Sequence, residues 1–596
     1  MQTLKSFLFL LKNHERKQAL FLLGMILLMA FLDMIGVASI LPFMAVLSNP
    51  DVIETNNFLN SLFQASNVFG INNYNEFLFF LGILVFILLV VSLSVRALTT
   101  YIQLRFVQML EYSVTKRLIE GYLHQPYSWF LNRHSADIGK NVLSEVSVVI
   151  RGIKYIFEII AKSLVTIAII SLLFLVNPKL TFVVGILLGG IYIIIFYFIK
   201  NYLRKIGKKR LENNELRFKA IIDGFGAAKE VKFGGLENNY VERYAKPTYI
   251  FARTQASSGI ISQIPRFILE AVAFGGVLLI ILYMMLASGS FNTALPILSL
   301  YVFAGYRMLP SLQQIYLAFS QITFISPSLD KLIEDIKSLK PISKNQDESE
   351  LLFNKSISLK NIHYNYPNSS QSVLKNINIT IPKKSTVGII GTTGSGKTTT
   401  VDIILGLLEA QKGTLEVDEK IITTQNSRAW QRILGYVPQQ IYLSDDTISA
   451  NVAFGVKDED ISQEAVEKAC KIAELHNFVV DELSDKYQTK IGERGVRLPG
   501  GQIQRIGIAR ALYHKPQVLV FDEATSALDN LTEQAVVDAI NNLGEKVTII
   551  LIAHRLNTVK NCDRIFKIEK GQVISQGTYN EIMNINNNFR SSAKNL

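Results

Sequence analysis

Residues 386–399 read T-V-G-I-I-G-T-T-G-S-G-K-T-T. The run Thr386–Ile390 predicts a buried strand, and it passes directly into Gly391-Thr392-Thr393-Gly394-Ser395-Gly396-Lys397-Thr398. That octet fits the phosphate-loop pattern G-x-x-x-x-G-K-[ST] in the strand–loop–helix context the pattern requires. Its glycines let backbone N–H groups close around phosphates at the positive end of the following helix. Lys397 would neutralise the β- and γ-phosphates of a nucleotide, and the Thr398 hydroxyl would ligate Mg²⁺. Thr399 completes the expected nucleotide-binding set.

Working outward, Val518–Phe521 predicts a second apolar strand that ends in Asp522-Glu523. Asp522 would hold Mg²⁺ through water, and Glu523 would polarise an attacking water. Val547–Ile552 predicts a third strand, running into Ala553-His554-Arg555. Ligands of open α/β sheets sit at the carboxyl ends of such strands, which gives His554 a functional reading over a structural one. The region from residue 356 to 585 therefore predicts an α/β nucleotide-binding domain. A polar linker (331–355) precedes it and a short tail (586–596) follows.

The first 330 residues are different in kind. The chain is 49% apolar and 18% charged, and the apolar excess lies before about residue 330. A bilayer span needs ~20 mostly apolar residues. Six stretches qualify: Ala19–Leu47, Phe77–Val95, Tyr155–Val176, Leu180–Ile199, Ile264–Leu286 and Ala294–Ile325. The connections Ser48–Glu76 and Ala287–Thr293 carry no Lys or Arg, whereas Arg96–Lys154 and Lys200–Gln263 carry many. The positive-inside rule then puts both termini in the cytoplasm. It also explains the net charge of +12 without nucleic acid, because basic clusters such as Lys200, Arg204, Lys205, Lys208, Lys209 and Arg210 flank apolar spans. The two cysteines, Cys470 and Cys562, have no metal-ligand spacing and read as free cytosolic thiols. Leu4–Leu11 reads as a short interfacial helix rather than a cleavable signal. The two basic connections predict long helical arms, interrupted near Gln125–Gly139 and Gly224–Gly235. A helical run of ~20 residues would reach ~30 Å beyond the bilayer.

These motifs carry a family resemblance over nearly the whole chain. The soluble half resembles the nucleotide-binding domain of ABC transporters. Tyr366, in His363-Tyr-Asn-Tyr-Pro367, matches the aromatic residue that stacks on adenine. Gln439, in Gly435-Tyr-Val-Pro-Gln439, matches the glutamine that touches Mg²⁺ and senses the membrane domain. Gly492-Glu493-Arg494-Gly495 resembles the exporter-type loop before the signature. Ser526-Ala527-Leu528-Asp529 matches the loop that crosses the dimer interface, and His554 matches the γ-phosphate switch. The family signature L-S-G-G-Q stands here as Leu498-Pro499-Gly500-Gly501-Gln502. Proline cannot supply the serine hydroxyl that contacts the opposite subunit's γ-phosphate, but it is tolerated in a helix's first turn. The resemblance implies a weakened site, and a dimer in which each ATP lies between Lys397 of one subunit and Gly500–Gln502 of the other. A homodimer is the expectation, and Pro499 keeps a heterodimer open.

Six spans with long arms and a C-terminal cassette resemble type IV ABC exporters of the bacterial cytoplasmic membrane. Within them, Val95-Arg96-Ala97-Leu98, Pro265–Glu270, Tyr306–Ser311 and Lys229–Lys232 resemble the lipid-linked oligosaccharide flippases of protein glycosylation. That resemblance implies that Arg96, Arg266 and Arg307 face a cavity and bind a polyprenyl pyrophosphate. Counted from the outer helix ends, Arg96 and Arg266 fall ~30 Å deep and Arg307 ~20 Å deep. Intramembrane charge is costly and usually functional, and arginine suits bidentate phosphate contacts. The structural alternatives are snorkelling for Arg96 and an i,i+4 ion pair with Glu270 for Arg266. Glu158 and Lys162 read as a helix-stabilising pair, and Asp33 as a mid-span acid, a candidate cavity residue without an assigned partner. Asn57–Phe69 places Phe58, Leu59, Leu62, Phe63 and Phe69 on one helical face, either to meet a polyprenyl tail or to cap the helix ends. A peptide or drug exporter, and an ATP-gated regulator, are the competing functions.

Overall fold

The computed structural model describes residues 2–48, 50, 52–66, 71, 73–176, 178–287, 295–341, 351–367, 369, 371–492, 495–522, 547–553 and 556–585. The chain divides into two units: residues 1–125 with 133–341, and residues 342–596 together with the short segment 126–132.

The first unit is helical. Its long helices are α1 (Asn13–Ala38), α2 (Tyr74–Leu123), α3 (Val146–Val176), α4 (Pro178–Gly226), α5 (Glu237–Ala287) and α6 (Leu295–Ser338). Among the described residues, Asn13–Gly36, Tyr74–Leu123 and Ser135–Leu175 are long and apolar enough to cross a membrane. The arms are continuations of the apolar helices: α2 and α5 run for 50 and 51 residues without a break. At ~1.5 Å per residue each is ~75 Å long, far beyond a bilayer core of ~30 Å. The second interruption holds the short helix Ala228–Phe233, and the first holds Tyr127–Phe130, which belongs to the second unit. The first expected span is divided, because helix resumes at Ile40–Ser48 after a turn at Ser39. Pro42 has no N–H to donate to the Ala38 carbonyl, so the hydrogen-bond ladder breaks there.

Two of the sequence readings acquire partners. The Ser92 hydroxyl donates to Asp33 at 2.6 Å, and both residues are buried. Asp33 therefore links α1 to α2. The outer segment forms a helix at Asn57–Ser66 that packs as a cap. Leu59 is buried beside Val46, Ile53, Phe77 and Leu81, and the Phe63 ring stacks on Tyr74 and meets Phe77 edge-on. Phe58 remains exposed, and Phe69 lies outside the described residues.

The second unit carries two sheets. One is antiparallel, in the order β2-β1-β4-β5, from Ser356–Tyr364 (β1), Leu374–Pro382 (β2), Lys412–Val417 (β4) and Lys420–Ile421 (β5). The other runs β10-β9-β3-β8-β7-β6, from Thr386–Ile390 (β3), Leu434–Val437 (β6), Val518–Asp522 (β7), Thr548–Ala553 (β8), Arg564–Glu569 (β9) and Gln572–Gly577 (β10). All of its neighbours pair in parallel except β9 and β10. Every residue of β3, β7 and β8 is buried, as expected of parallel strands covered on both faces. Cys470 and Cys562 are buried free thiols, and burial pushes each up to about 12.

Candidate nucleotide and cargo sites

Parallel pairing brings the strand ends that matter to one edge. Ile390 on β3 registers with Ala553 on β8, Asp522 on β7 with Ile552, and Val437 on β6 with Phe521. The phosphate loop therefore leaves the sheet at the edge where Asp522 ends β7 and where β6 leads on to Gln439. Glu523, Asp529 and His554 lie outside the described residues, as do Glu493 and Arg494.

The loop depends on its glycines. Gly394 and Gly396 have φ of +79° and +103°, a region glycine enters without strain. A Cβ on Gly391 would sit 2.2 Å from the Ile568 carbonyl oxygen, and one on Gly396 would sit 2.7 Å from Leu374 Cδ2. Gly396 is also the N-cap of helix α7 (Lys397–Ile404). The Lys397 ammonium curls over the loop and donates to the carbonyls of Gly391 and Thr392 at 2.9 and 3.1 Å. Ser395 Oγ is buried without a hydrogen-bond partner among the described residues. Thr392, Thr393 and Thr398 are exposed. A cradle of amides around a lysine and an orphaned hydroxyl fits a polyphosphate.

Beside the loop lies an acid that the motifs do not announce. Asp402, on α7, is pushed up to about 6, first by burial and then by the nearby Asp522 carboxylate. Tyr436 on β6 hydrogen-bonds Asp522, and burial together with these carboxylates raises its phenol. No cluster of three or more Asp, Glu, His or Cys is placed to hold a metal among the described residues. One carboxylate with a hydroxyl and substrate phosphates is instead a donor set that suits Mg²⁺, which keeps much of its water.

The remaining motif residues take distinct positions. The Tyr366 hydroxyl bonds the Thr399 hydroxyl at 3.0 Å, and its ring meets Tyr364 edge-on. Gln439 is exposed just beyond β6. Gly500 opens helix α8 (Gly500–Tyr513), and Pro499 is its N-cap, one position before the first turn. The Pro499 side chain makes no cap hydrogen bond. The N–H groups of Gln502 and Ile503 both reach the Pro499 carbonyl, at 3.0 and 3.2 Å. By position, the amides of Gly500 and Gly501 have no intrahelical acceptor and can meet an anion. The Gln502 side-chain oxygen is buried without a partner among the described residues. Serine at position 499 would add both a cap and a hydroxyl donor. Pro499→Ser is expected to raise ATPase activity by ~2–10-fold, the equivalent of one modest hydrogen bond. A steady-state assay checks this, and an unchanged or lower rate would show that the backbone amides suffice.

In the first unit, Arg96 on α2 lines a cavity of ≈250 Å³ together with Lys154, Glu158 and Lys162 of α3 and Gln314 of α6. Arg266 is not in that lining. It pairs with Glu270 at 2.8 Å, so the ion pair weighed for it is formed, and Gln313 donates to the same carboxylate at 3.5 Å. Arg307 lies within α6, and its side chain is outside the described residues. Glu158 pairs with Lys154 at 3.6 Å, a partner the sequence reading did not assign.

Residues 374–526 match the family model for "ABC transporter", and residues 40–306 match the model for "ABC transporter transmembrane region". The chain belongs to the ABC transporter family. It superposes with a TM-score of 0.78 on a solved bacterial Atm1-family ABC exporter with ATP bound, covering 97% of this chain and 98% of that one at 21% identity. It is 28% identical to the ATP-dependent lipid A-core flippase of Ralstonia nicotianae over 78% of its own length and 79% of the relative's. It is 29% identical to a leukotoxin translocation ATP-binding protein of a Pasteurella haemolytica-like species over 85% and 71%. A helical transmembrane domain is thus fused to an ATPase domain, and the activity is ATP hydrolysis coupled to transport across a membrane.

Proposed function

We propose that this exporter flips a polyprenyl-pyrophosphate-linked oligosaccharide, or a similar lipid-linked glycan, across a bacterial cytoplasmic membrane, with both termini in the cytosol. What carries the cargo reading is Arg96, which follows a long apolar stretch of α2 and lines a cavity rather than turning to a surface ion pair. In the motor, Lys397 and the loop amides hold the phosphates, and Tyr366 stacks on adenine. Thr398 and Gln439, with Asp522 through water, would hold Mg²⁺, the cation that neutralises charge on the transferring phosphoryl group. Glu523 orients the attacking water and His554 contacts the γ-phosphate. Leu498–Gln502 of the partner subunit close the site, and Asp529 crosses the interface. The working unit is then a dimer, and a homodimer is proposed because closed two-fold symmetry is the commonest arrangement.

Reconstituted flipping of a pyrophosphate-linked glycan tests the cargo. Alanine at Arg96, Arg266 or Arg307 should impair it, each lost contact removing ~1.5–3 kcal/mol of headgroup interaction. Lysine should rescue only partly, since it keeps the charge and loses the fork. Arg266 has a built-in control in Glu270. If the pair is only structural, Arg266→Ala and Glu270→Ala should lower thermal stability, transport and basal ATPase together. Wild-type flipping by all three arginine variants would move the reading to a peptide or drug exporter. That second reading is the one the leukotoxin-translocating relative favours.

A further inference from the structure

We propose that the three places where the chain passes between its two units are bound into one body, so that motion driven by ATP enters the helical unit through the ends of α2 and α6 together. This linkage is independent of the cargo and of the residues assigned to catalysis.

The crossings fall at 125/126, 132/133 and 341/342. Gln125 and Arg133 are the residues of the first unit at the first two, and Lys340 stands beside the third. The Gln125 side-chain amide engages both backbone groups of Lys340. Its Oε1 accepts from the Lys340 N–H at 3.1 Å, and its Nε2 donates to the Lys340 carbonyl at 3.2 Å. The same Nε2 donates to the Gly121 carbonyl on α2 at 3.0 Å, which fixes the amide's orientation. Because α6 ends at Ser338, the backbone of Lys340 lies past its hydrogen-bond ladder, and Gln125 supplies the partners it lacks. Gly121 leaves room for this approach: a Cβ there would sit 2.9 Å from Leu339 Cδ1, and the leucine would have to move.

A buried carboxylate ties the middle crossing to the same place. Asp335 on α6, with 2% of its side chain exposed, accepts from the Arg133 guanidinium and from the Tyr122 hydroxyl of α2. Asn141, which opens the π-helical turn before α3, donates to Asp335 at 3.2 Å and to Tyr122 at 3.3 Å. Arg133 also reaches the Ser338 hydroxyl at 3.5 Å. Stranding a buried carboxylate without its cation is costly, so Asp335 holds Arg133 firmly. Bonds that served only to stabilise the bundle could lie at any depth along α6. These gather at its last turn, beside all three crossings. Hydrogen-bond networks joined to rigid helices are what carries coupling between distant sites. From these ends α2 and α6 run for 50 and 44 residues, so a displacement here is carried along the spans.

Hydrogen–deuterium exchange of the full chain in nanodiscs, with and without ATP, Mg²⁺ and vanadate, tests this with no cargo needed. In the wild type, nucleotide should change exchange in residues 74–123 and 295–338. Arg133→Met and Gln125→Met each free one crossing and should shrink that change by ~5-fold or more, the lower end of typical coupling between sites. ATP hydrolysis should stay within a few-fold of wild type, because neither residue belongs to the motor. Arg133→Lys keeps the charge and should keep most of the response. Covalent repair supplies the second test. In the double variant Arg133→Cys with Ser338→Cys, a short bifunctional methanethiosulfonate should restore the response, and a reductant should remove it again. The native thiols, Cys470 and Cys562, are buried and should not compete for the reagent. If Arg133→Met does not fold, Gln125→Met decides the first test. A wild-type response in either methionine variant would overturn the proposal, as would a cross-linked pair that hydrolyses ATP without regaining the response. A merely structural tie would overturn it too, and would show as lower thermal stability with exchange raised equally with and without nucleotide.

Discussion

Glu523→Gln is expected to lower steady-state ATP turnover by ~10²–10⁴-fold, the usual cost of losing an essential base, while ATP still binds. Its neighbour Asp522 ends β7 buried at the sheet edge shared with the phosphate loop, hydrogen-bonded to Tyr436. Two adjacent acids can divide the labour there, Asp522 near Mg²⁺ and Glu523 toward the water. Glutamine keeps the size of the side chain and its ability to hydrogen-bond, and loses only the basic carboxylate. The variant should therefore accumulate as nucleotide-bound closed dimers, visible by native mass spectrometry as two chains with two ATP. Lys397→Ala should instead lose nucleotide, because its ammonium is the loop's own cation. Turnover within a few-fold of wild type in Glu523→Gln would remove the base assignment. Hydrolysis by the wild-type chain only in the presence of a different half-transporter would replace the homodimer with a heterodimer.

What could be read from the chain in advance was whatever depends on local order along it. β3, β7 and β8 are runs of five or six wholly buried residues, and their apolar composition betrays them. The phosphate loop is legible because backbone closure around phosphate demands glycines at fixed spacing. The long arms follow from sparse Gly and Pro. The rest depends on which helix faces which. Asp402 shares a site with Asp522 only because β7 lies two strands from β3, the strand that feeds α7. Lys154 marked only the edge of a loop until α2 and α3 packed into a cavity around it. Arg210 is the clearest case. Its place among six basic residues after an apolar span made it a topology charge, yet it is buried, with 1% of its side chain exposed.

That burial makes the loss of Arg210 costly to the stability of the membrane domain. Its guanidinium donates to Glu145 and, at 2.9 Å, to the Ser328 hydroxyl on α6. Glu145, 3% exposed, also accepts from Asn214 at 2.7 Å. It closes the widened π-helical turn Asn141–Glu145 that leads into α3. One ion pair thus joins the start of α3 to α4 and α6, with Phe251 of α5 beneath the guanidinium. Arg210→Ala would leave Glu145 charged and buried, and breaking such a pair from one side costs ~3–5 kcal/mol. Glu145→Ala should cost a similar amount by stranding the arginine. The double variant Arg210→Met with Glu145→Leu removes both charges and keeps the volume, so it should recover most of the loss, as hydrophobic replacement of buried pairs often does. Thermal unfolding in nanodiscs reads all three variants, with ATPase activity as the second measure. Near-wild-type stability in either single variant would mean that water or another group reaches the abandoned charge. A double variant no better than the singles would mean that the hydrogen bonds to Ser328 and Asn214, and not the ion pair, hold these helices in register.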